Sequence, residues 1–230
     1  MKTSICSYSF YRMVKDGKQD MFQYITDCNE LGVDLIDPWS GYSEAPGQER
    51  GQPPLMDNPD YADDIDKIKT EGDAVEMPFG CVALDRAHIY EPIEANRQRT
   101  SQWLDVTARL GGTTMRIDTG PRVETWTDDE FQIIVAGYND MIAEAKTKGV
   151  QIIVENHWGP TKHPENTVRT LEAVKGLGRL FDSNNWAEGT QEKAWDMCAK
   201  YATFTHFKTV SFDENGDDPS VDLRECTNIL

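Results

Sequence analysis

The 230-residue sequence predicts a parallel α/β barrel that contains about seven strands. Two observations predict this fold class. Short apolar segments alternate with longer amphipathic ones, which is the pattern of a parallel sheet covered by helices. Polar residues end several of the apolar segments, as is common where a site lies at the carboxyl ends of barrel strands. We expect the whole chain, residues 1–230, to form a single domain of this type.

Seven segments are predicted as strands because they are short, apolar or β-branched, and bounded by turn-forming residues. They are Thr3–Ser9, Val33–Asp37, Ala74–Phe79, Thr113–Ile117, Val150–Glu155, Gly178–Asp182 and Thr203–Phe207. The fifth is almost continuously apolar, as expected of a strand that is buried on both faces. The segment Trp39–Asp60 is rich in glycine, proline and acidic residues and predicts a long loop after the second strand.

The helix before the fifth strand has the clearest sequence signals. Thr127 and Glu130 have the spacing of a capping box, and apolar residues recur at helical spacing from Phe131 to Ala145. Pro164 predicts the start of the next helix, ahead of the sixth strand. Two consecutive helix and strand repeats are therefore predicted in this part of the chain.

Composition and charge exclude several partners. The 40 acidic residues outnumber 23 basic ones, and the net charge of -17 would repel nucleic acid and anionic membrane surfaces. The start of the chain lacks the features of a secretory signal, and no apolar stretch approaches membrane-spanning length. The 5 cysteines are widely spaced and include no CxxC pair, which favours reduced thiols. We therefore expect a cytoplasmic protein with a small-molecule partner.

Three residues of the types that bind metals lie at the ends of consecutive predicted strands. Glu155 ends the fifth, Asp182 ends the sixth and His206 lies in the seventh. One β/α unit fits each of the intervals between them, so the three side chains are expected on the same rim. Two carboxylates and an imidazole suit Mn²⁺, Mg²⁺, Co²⁺ or Zn²⁺, and the oxygen ligands favour the harder ions. We predict a divalent-metal site with Mn²⁺ as first choice, the alternative being that these residues only cap helices or are solvated.

Five short motifs follow one another along nearly the whole chain. They are Ser7-Tyr8-Ser9-Phe10, Met115-Arg116, Val154-Glu155-Asn156-His157, Phe181-Asp182 and His206-Phe207-Lys208. In this order and spacing they resemble the sugar phosphate isomerase/epimerase superfamily of xylose isomerase-like TIM barrels. That superfamily includes ketose 3-epimerases and inosose dehydratase, and the resemblance is not specific for one activity.

The resemblance implies a metal that binds two oxygens of a sugar or polyol while carboxylates move a proton on the carbon beside a carbonyl. Glu155 would be both a metal ligand and the catalytic acid/base, with Asp182 and His206 as ligands only. The substrate-binding residues expected are Lys208, Arg116, His157, Asn185, Tyr8 and Phe10. For Arg116 a structural ion pair, and for the aromatic residues ordinary packing, are the open alternatives.

The sequence departs from the family pattern at two places. Family members have an eighth strand, and its end supplies a glutamate that is the fourth metal ligand and the second acid/base. This sequence ends at Leu230 and contains neither that strand nor that glutamate. Either the sequence is truncated at its C-terminus, or another chain covers the open barrel edge, for which we expect a homo-oligomer. Asn185 stands where ketose 3-epimerases of the family often have a histidine, which argues against a straightforward ketose 3-epimerase.

The expected function is a divalent-metal-dependent isomerase or epimerase of a small sugar or polyol. A lyase of the same superfamily, similar to inosose dehydratase or cleaving a C-glycoside, is the alternative because it begins with the same proton abstraction. A catalytically incomplete sugar-binding remnant is a further alternative. A DNA-repair endonuclease would need several zinc ions and a basic face, which 4 histidines and a net charge of -17 do not favour.

Overall fold

A computed structural model describes residues 2–40, 59–90, 94–120 and 123–230. Within them strands alternate with helices along the chain. The strands are β1 (Ser4–Cys6), β2 (Leu35–Asp37), β3 (Cys81–His88), β4 (Thr114–Asp118), β5 (Gln151–Glu155), β6 (Gly178–Asp182) and β7 (Phe204–His206). The α-helices are α1 (Tyr11–Lys15), α2 (Met21–Glu30), α3 (Pro59–Ala74), α4 (Glu94–Leu110), α5 (Asp128–Thr147), α6 (Pro164–Ala173), α7 (Gln191–Cys198) and α8 (Leu223–Ile229).

The strands form two sheets that follow the order of the chain. β1 and β2 pair in parallel, with Ser4 opposite Leu35. The other five strands form one sheet in the order β3-β4-β5-β6-β7. β6 pairs in parallel with both β5 and β7. Parallel strands in chain order with intervening helices are the topology of an α/β barrel, so the predicted fold class, an incomplete barrel, is confirmed.

The chain divides into two compact units. The first contains residues 1–87, 93–117 and 143–151, and the second contains residues 88–92, 118–142 and 152–230. In the first unit α3 packs against both α2 and α4. In the second unit α7 packs against α6 and α8, over a core of Phe181, Trp186, Ala194, Trp195, Cys198, Val221 and Cys226. The expectation of a single domain over residues 1–230 stays a prediction.

The third predicted strand is wrong, because residues 74–79 include the end of a helix. Ala74 is the last residue of α3, and the strand is Cys81–His88. Glu76 has a φ of 58°, in the left-handed region that usually favours glycine after a helix. The N–H of Met77 donates to the carbonyl of Gly72, which closes the helix end. The alternating apolar residues of this segment are also typical of a strand, which led to the wrong prediction. The usual sequence signal of a helix end, a glycine, is absent because Glu76 occupies that position.

Other predictions differ from the structure in extent. The first predicted strand, Thr3–Ser9, is shorter, because residues Ser7–Phe10 form a 3-10 helix after β1. The predicted loop Trp39–Asp60 falls mostly on residues 41–58, which lie outside the described residues. Its last two residues, Pro59 and Asp60, belong to α3. Among the described residues, no helix combines the length and the apolar character that crossing a bilayer requires.

The predicted capping box of α5 is formed, and it allows a direct test of stability. The N–H of Glu130 donates to Thr127 Oγ1 (3.2 Å), and the N–H of Thr127 donates to Glu130 Oε2 (2.6 Å). Thr127→Ala is expected to lower the free energy of unfolding by about 1 kcal/mol, measured by urea denaturation. Thr26→Ala is the control, since the Thr26 hydroxyl donates to the carbonyl of Phe22 within α2. An equal loss in both variants would show that the cap has no special role.

Candidate metal centre

Glu155, Asp182 and His206 come together at the carboxyl ends of β5, β6 and β7, within the second unit. β6 lies between the other two strands, and strand pairing places Asp182 opposite His206. One ligand atom from each residue lies within 4.8 Å of those of the other two. Glu155 Oε1 and His206 Nδ1 are 3.7 Å apart. Ligand atoms bound to one divalent ion at its usual bond lengths lie roughly 3–4 Å apart, so small side-chain movements would bring these three onto one cation.

The two carboxylates of this group are buried close together, which is unfavourable without a compensating charge. Glu155 is 3% exposed and Asp182 is 2% exposed. Burial, followed by repulsion from Glu155, raises the pKa of Asp182 to about 6, although His206 and Lys208 partly oppose the increase. A bound cation would remove this repulsion, because it stabilises both charged carboxylates. The two carboxylates and the imidazole therefore fit a divalent metal.

The segment that follows β6 orients both carboxylates. Asp182 Oδ1 accepts hydrogen bonds from the backbone N–H groups of Asn184 (2.7 Å) and Asn185 (2.9 Å). The side-chain amide of Asn185 donates to Glu155 Oε1 (3.2 Å). Asn185 thus contacts both predicted ligands, one through its backbone and one through its side chain. Its predicted role in substrate binding stays a prediction.

Lys208 reaches the same amide from the segment after β7. Strand β7 ends at His206, so the backbone of Lys208 lies outside the strand pairing. The Lys208 N–H donates instead to the hydroxyl of buried Ser183 (3.0 Å), and Nζ donates to Asn185 Oδ1 (2.6 Å). The side-chain amide of Asn185 therefore connects the positively charged ammonium of Lys208 to the carboxylate of Glu155.

His157 is held by an acid that we did not predict. Its Nδ1 lies 3.0 Å from Oδ2 of Asp118, the last residue of β4, and Trp158 Nε1 donates to the same oxygen (3.0 Å). Asp118, Glu155 and His157 also have ligand atoms within 4.8 Å of one another. The signal for Asp118 was present in the sequence, because it ends an apolar strand in the same way as Glu155 and Asp182. We ended the fourth strand one residue too early, at Ile117.

The remaining predicted substrate contacts belong to the first unit. Arg116 is buried on β4. Tyr8 is exposed and lies edge-on to Trp39, with ring centroids 5.1 Å apart. Phe10 packs edge-on against Tyr24 at 5.9 Å. The roles predicted for Arg116, Tyr8 and Phe10 in substrate binding stay predictions.

Comparison with protein families identifies the class of protein that this fold and these residues define. A family model described as a xylose isomerase-like TIM barrel matches residues 25–225. The chain therefore belongs to the xylose isomerase-like TIM barrel family. A comparison with curated protein sequences finds no match.

Many solved structures are similar to this chain in fold. The probable 3-DHS dehydratase AsbF from Bacillus anthracis has a TM-score of 0.74 and 16% identity, over 99% of this chain and 88% of that one. D-psicose 3-epimerase from Clostridium cellulolyticum H10, solved with D-tagatose, has a TM-score of 0.69 and 13% identity, over 96% and 77%. A xylose isomerase-like TIM barrel protein from Mycobacterium smegmatis, in complex with magnesium, has a TM-score of 0.67 and 13% identity, over 90% and 76%. At these identities the similarity shows the fold alone.

Proposed function

We propose that this protein is a divalent-metal-dependent isomerase or epimerase of a small sugar or polyol. The observation that carries the proposal is the approach of two buried carboxylates and an imidazole at the ends of three neighbouring strands. Similar folds in D-psicose 3-epimerase and in a magnesium complex support it. Glu155, Asp182 and His206 would hold the metal, with Mn²⁺ as first choice and Mg²⁺, Co²⁺ and Zn²⁺ as alternatives.

Glu155 would act as the acid/base of the reaction. When bound, the metal supplies Lewis-acid stabilisation of the negative charge that develops on substrate oxygens. Glu155 would remove the proton from the carbon beside the carbonyl, and the amide of Asn185 would keep its carboxylate oriented for this step. Asp182 keeps its place through two backbone N–H bonds and takes no part in proton transfer.

Lys208 and His157 would bind the substrate. The Lys208 ammonium could move from Asn185 to a substrate oxygen, since its side chain is exposed. Asp118 engages His157 through Nδ1, which leaves Nε2 as the ring atom to contact a substrate hydroxyl. For Arg116, Tyr8 and Phe10 we keep the proposal of a role in substrate binding. We propose in addition a cytoplasmic protein that forms a homo-oligomer, the latter to be tested by light scattering on purified protein.

A dehydratase is the second candidate. Asn185 occupies the position where epimerases of the family often have a histidine, and a probable 3-DHS dehydratase is among the structures of similar fold. The reaction would begin with the same removal of a proton by Glu155, and loss of a hydroxyl group as water would follow. The two candidates therefore share the metal centre and differ only after the first step.

Metal binding and proton exchange together test this proposal. Metal-free protein should bind Mn²⁺ saturably at one tight site, measured by electron paramagnetic resonance (EPR) of the free ion. With Mn²⁺ and D₂O, an epimerase should incorporate deuterium into D-fructose or D-tagatose, and a dehydratase should convert 3-DHS with loss of water, both followed by mass spectrometry. EDTA-treated protein is the control. Absence of tight Mn²⁺ binding would refute the proposal, and binding without exchange or dehydration of these compounds would favour a binding protein.

A further inference from the structure

A buried polar network lies directly beside the proposed metal ligands, just after the end of β5 and on β6. It is formed by Asn156, the residue after Glu155, and Arg179, the second residue of β6. Both side chains are 0% exposed. Neither residue is a ligand in the proposed function, so the reason for burying an amide and a guanidinium here must lie in what they contact.

The side chain of Asn156 continues the strand pairing beyond the end of β5. The paired residues in the sheet include Glu155 opposite Leu180. Further along, the N–H of Asp182 donates to Asn156 Oδ1 (3.0 Å), and Asn156 Nδ2 donates to the carbonyl of Asp182 (3.0 Å). The amide thus satisfies both backbone groups of Asp182, as the backbone of a longer β5 would do. It fixes the Asp182 backbone relative to the strand that carries Glu155.

Arg179 sets the orientation of this amide. Its Nη2 donates to Asn156 Oδ1 (2.9 Å), the atom that also accepts from Asp182. An amide rotated by 180° would present a donor to both of these N–H groups, so the observed orientation is the one that all partners require. The guanidinium lies 5.3 Å from the ring of Phe181 and 5.1 Å from that of Trp186.

The burial of Arg179 costs stability. Within the described part of the chain, its Nε and Nη1 atoms have no hydrogen-bond partner. Burial lowers the pKa of Arg179 to about 10, although the nearby carboxylates of Glu155 and Asp182 act in the opposite direction. An apolar side chain of similar size would avoid this desolvation cost. The position is therefore poorly explained by stability alone.

We infer that Asn156 and Arg179 are positioning residues of the metal centre, which hold Asp182 in register with Glu155 so that both carboxylates reach one cation. The inference rests on the proposed function, because it assumes that a cation binds there. Residues that orient metal ligands typically contribute 10–100-fold to metal affinity. We expect changes of about that size in Mn²⁺ affinity when either residue is replaced.

Metal affinity and stability, measured separately, test the inference. Asn156→Ala should raise the dissociation constant for Mn²⁺ by about 10–100-fold and broaden the EPR spectrum of the bound ion, because Asp182 is no longer fixed. Arg179→Met should also weaken Mn²⁺ binding, while the metal-free protein keeps or gains stability because a buried charge is removed. A change of affinity and stability in opposite directions is not expected of a residue that only supports the fold.

Thr170→Val is the matched control. The buried hydroxyl of Thr170 donates to the carbonyl of Asn166 within α6, so its loss removes a buried hydrogen bond that does not involve the ligands. This variant should lose stability and bind Mn²⁺ like wild type. Wild-type affinity in Arg179→Met, or an equal loss of affinity in Thr170→Val, would overturn the inference even if Asn156→Ala does not fold. Failure of the wild-type protein to bind Mn²⁺ would instead refute the proposed function.

Discussion

Asp182→Asn is expected to weaken Mn²⁺ binding by more than roughly 100-fold and, at the same time, to make the metal-free protein more stable at pH 7. The loss of affinity follows because an amide replaces a charged ligand. The gain in stability follows because Asp182 is buried beside Glu155, which raises its pKa from 3.8 to about 6. Asparagine has nearly the shape of the protonated acid and keeps an oxygen for the N–H groups of Asn184 and Asn185.

The pH dependence of this effect has a definite sign. Below about pH 4, Asp182 is protonated in the folded and unfolded states, and the penalty for its charge is absent. Between pH 3.8 and about 6 the folded state binds more protons than the unfolded state, so the contribution of Asp182 to stability falls as the pH rises. The loss is nearly complete about one unit above the folded-state pKa, and it is on the order of a few kcal/mol.

Urea denaturation of the metal-free wild type and Asp182→Asn, from pH 4 to pH 8 in EDTA, measures this difference. The two stabilities should converge near pH 4, and the variant should be more stable by up to about 3 kcal/mol at pH 7. Asp140→Asn, at an exposed position of α5, is the control and should change stability by less than about 0.5 kcal/mol. A wild type that gains stability relative to Asp182→Asn between pH 5 and pH 7 would contradict the assigned pKa shift.

The ends of β5 and β6 were predictable from the sequence because local patterns determine them. β6 has the bounds predicted for it, and β5 differs from its prediction by one residue at its start. Parallel strands in chain order bring their carboxyl ends to one edge, so two acids at strand ends can be placed together without knowing any tertiary contact. The same rule would have found Asp118 if the fourth strand had been extended by one residue.

Contacts made by side-chain amides were not predictable in the same way. Asn156 meets Asp182 and Asn185 meets Glu155 only because strand register and the turn after β6 bring distant positions together. No pattern of apolar residues encodes such a bond. Lys208 shows a related limit, because its contact with Asn185 depends on the path of the chain after β7 has ended.

Glu155→Gln is expected to reduce proton exchange by roughly 10³-fold even when the metal site is fully occupied. Glutamine has nearly the same shape as glutamate and can still accept the hydrogen bond from Asn185 Nδ2, so the geometry around it should be preserved. An amide cannot take up the proton of a carbon acid at neutral pH. The variant therefore separates the role of Glu155 as a base from its role in shaping the site.

Glu155 is also a proposed metal ligand, so Glu155→Gln must be compared with a variant that loses a metal ligand but keeps the catalytic base. His206→Gln serves this purpose, since His206 is proposed to bind the metal only. Both variants should need more Mn²⁺ for occupancy, measured by EPR, but at saturation His206→Gln should recover much of the deuterium incorporation and Glu155→Gln should not. If both variants recover exchange equally, Glu155 is not the base, and the proton must be removed by another group.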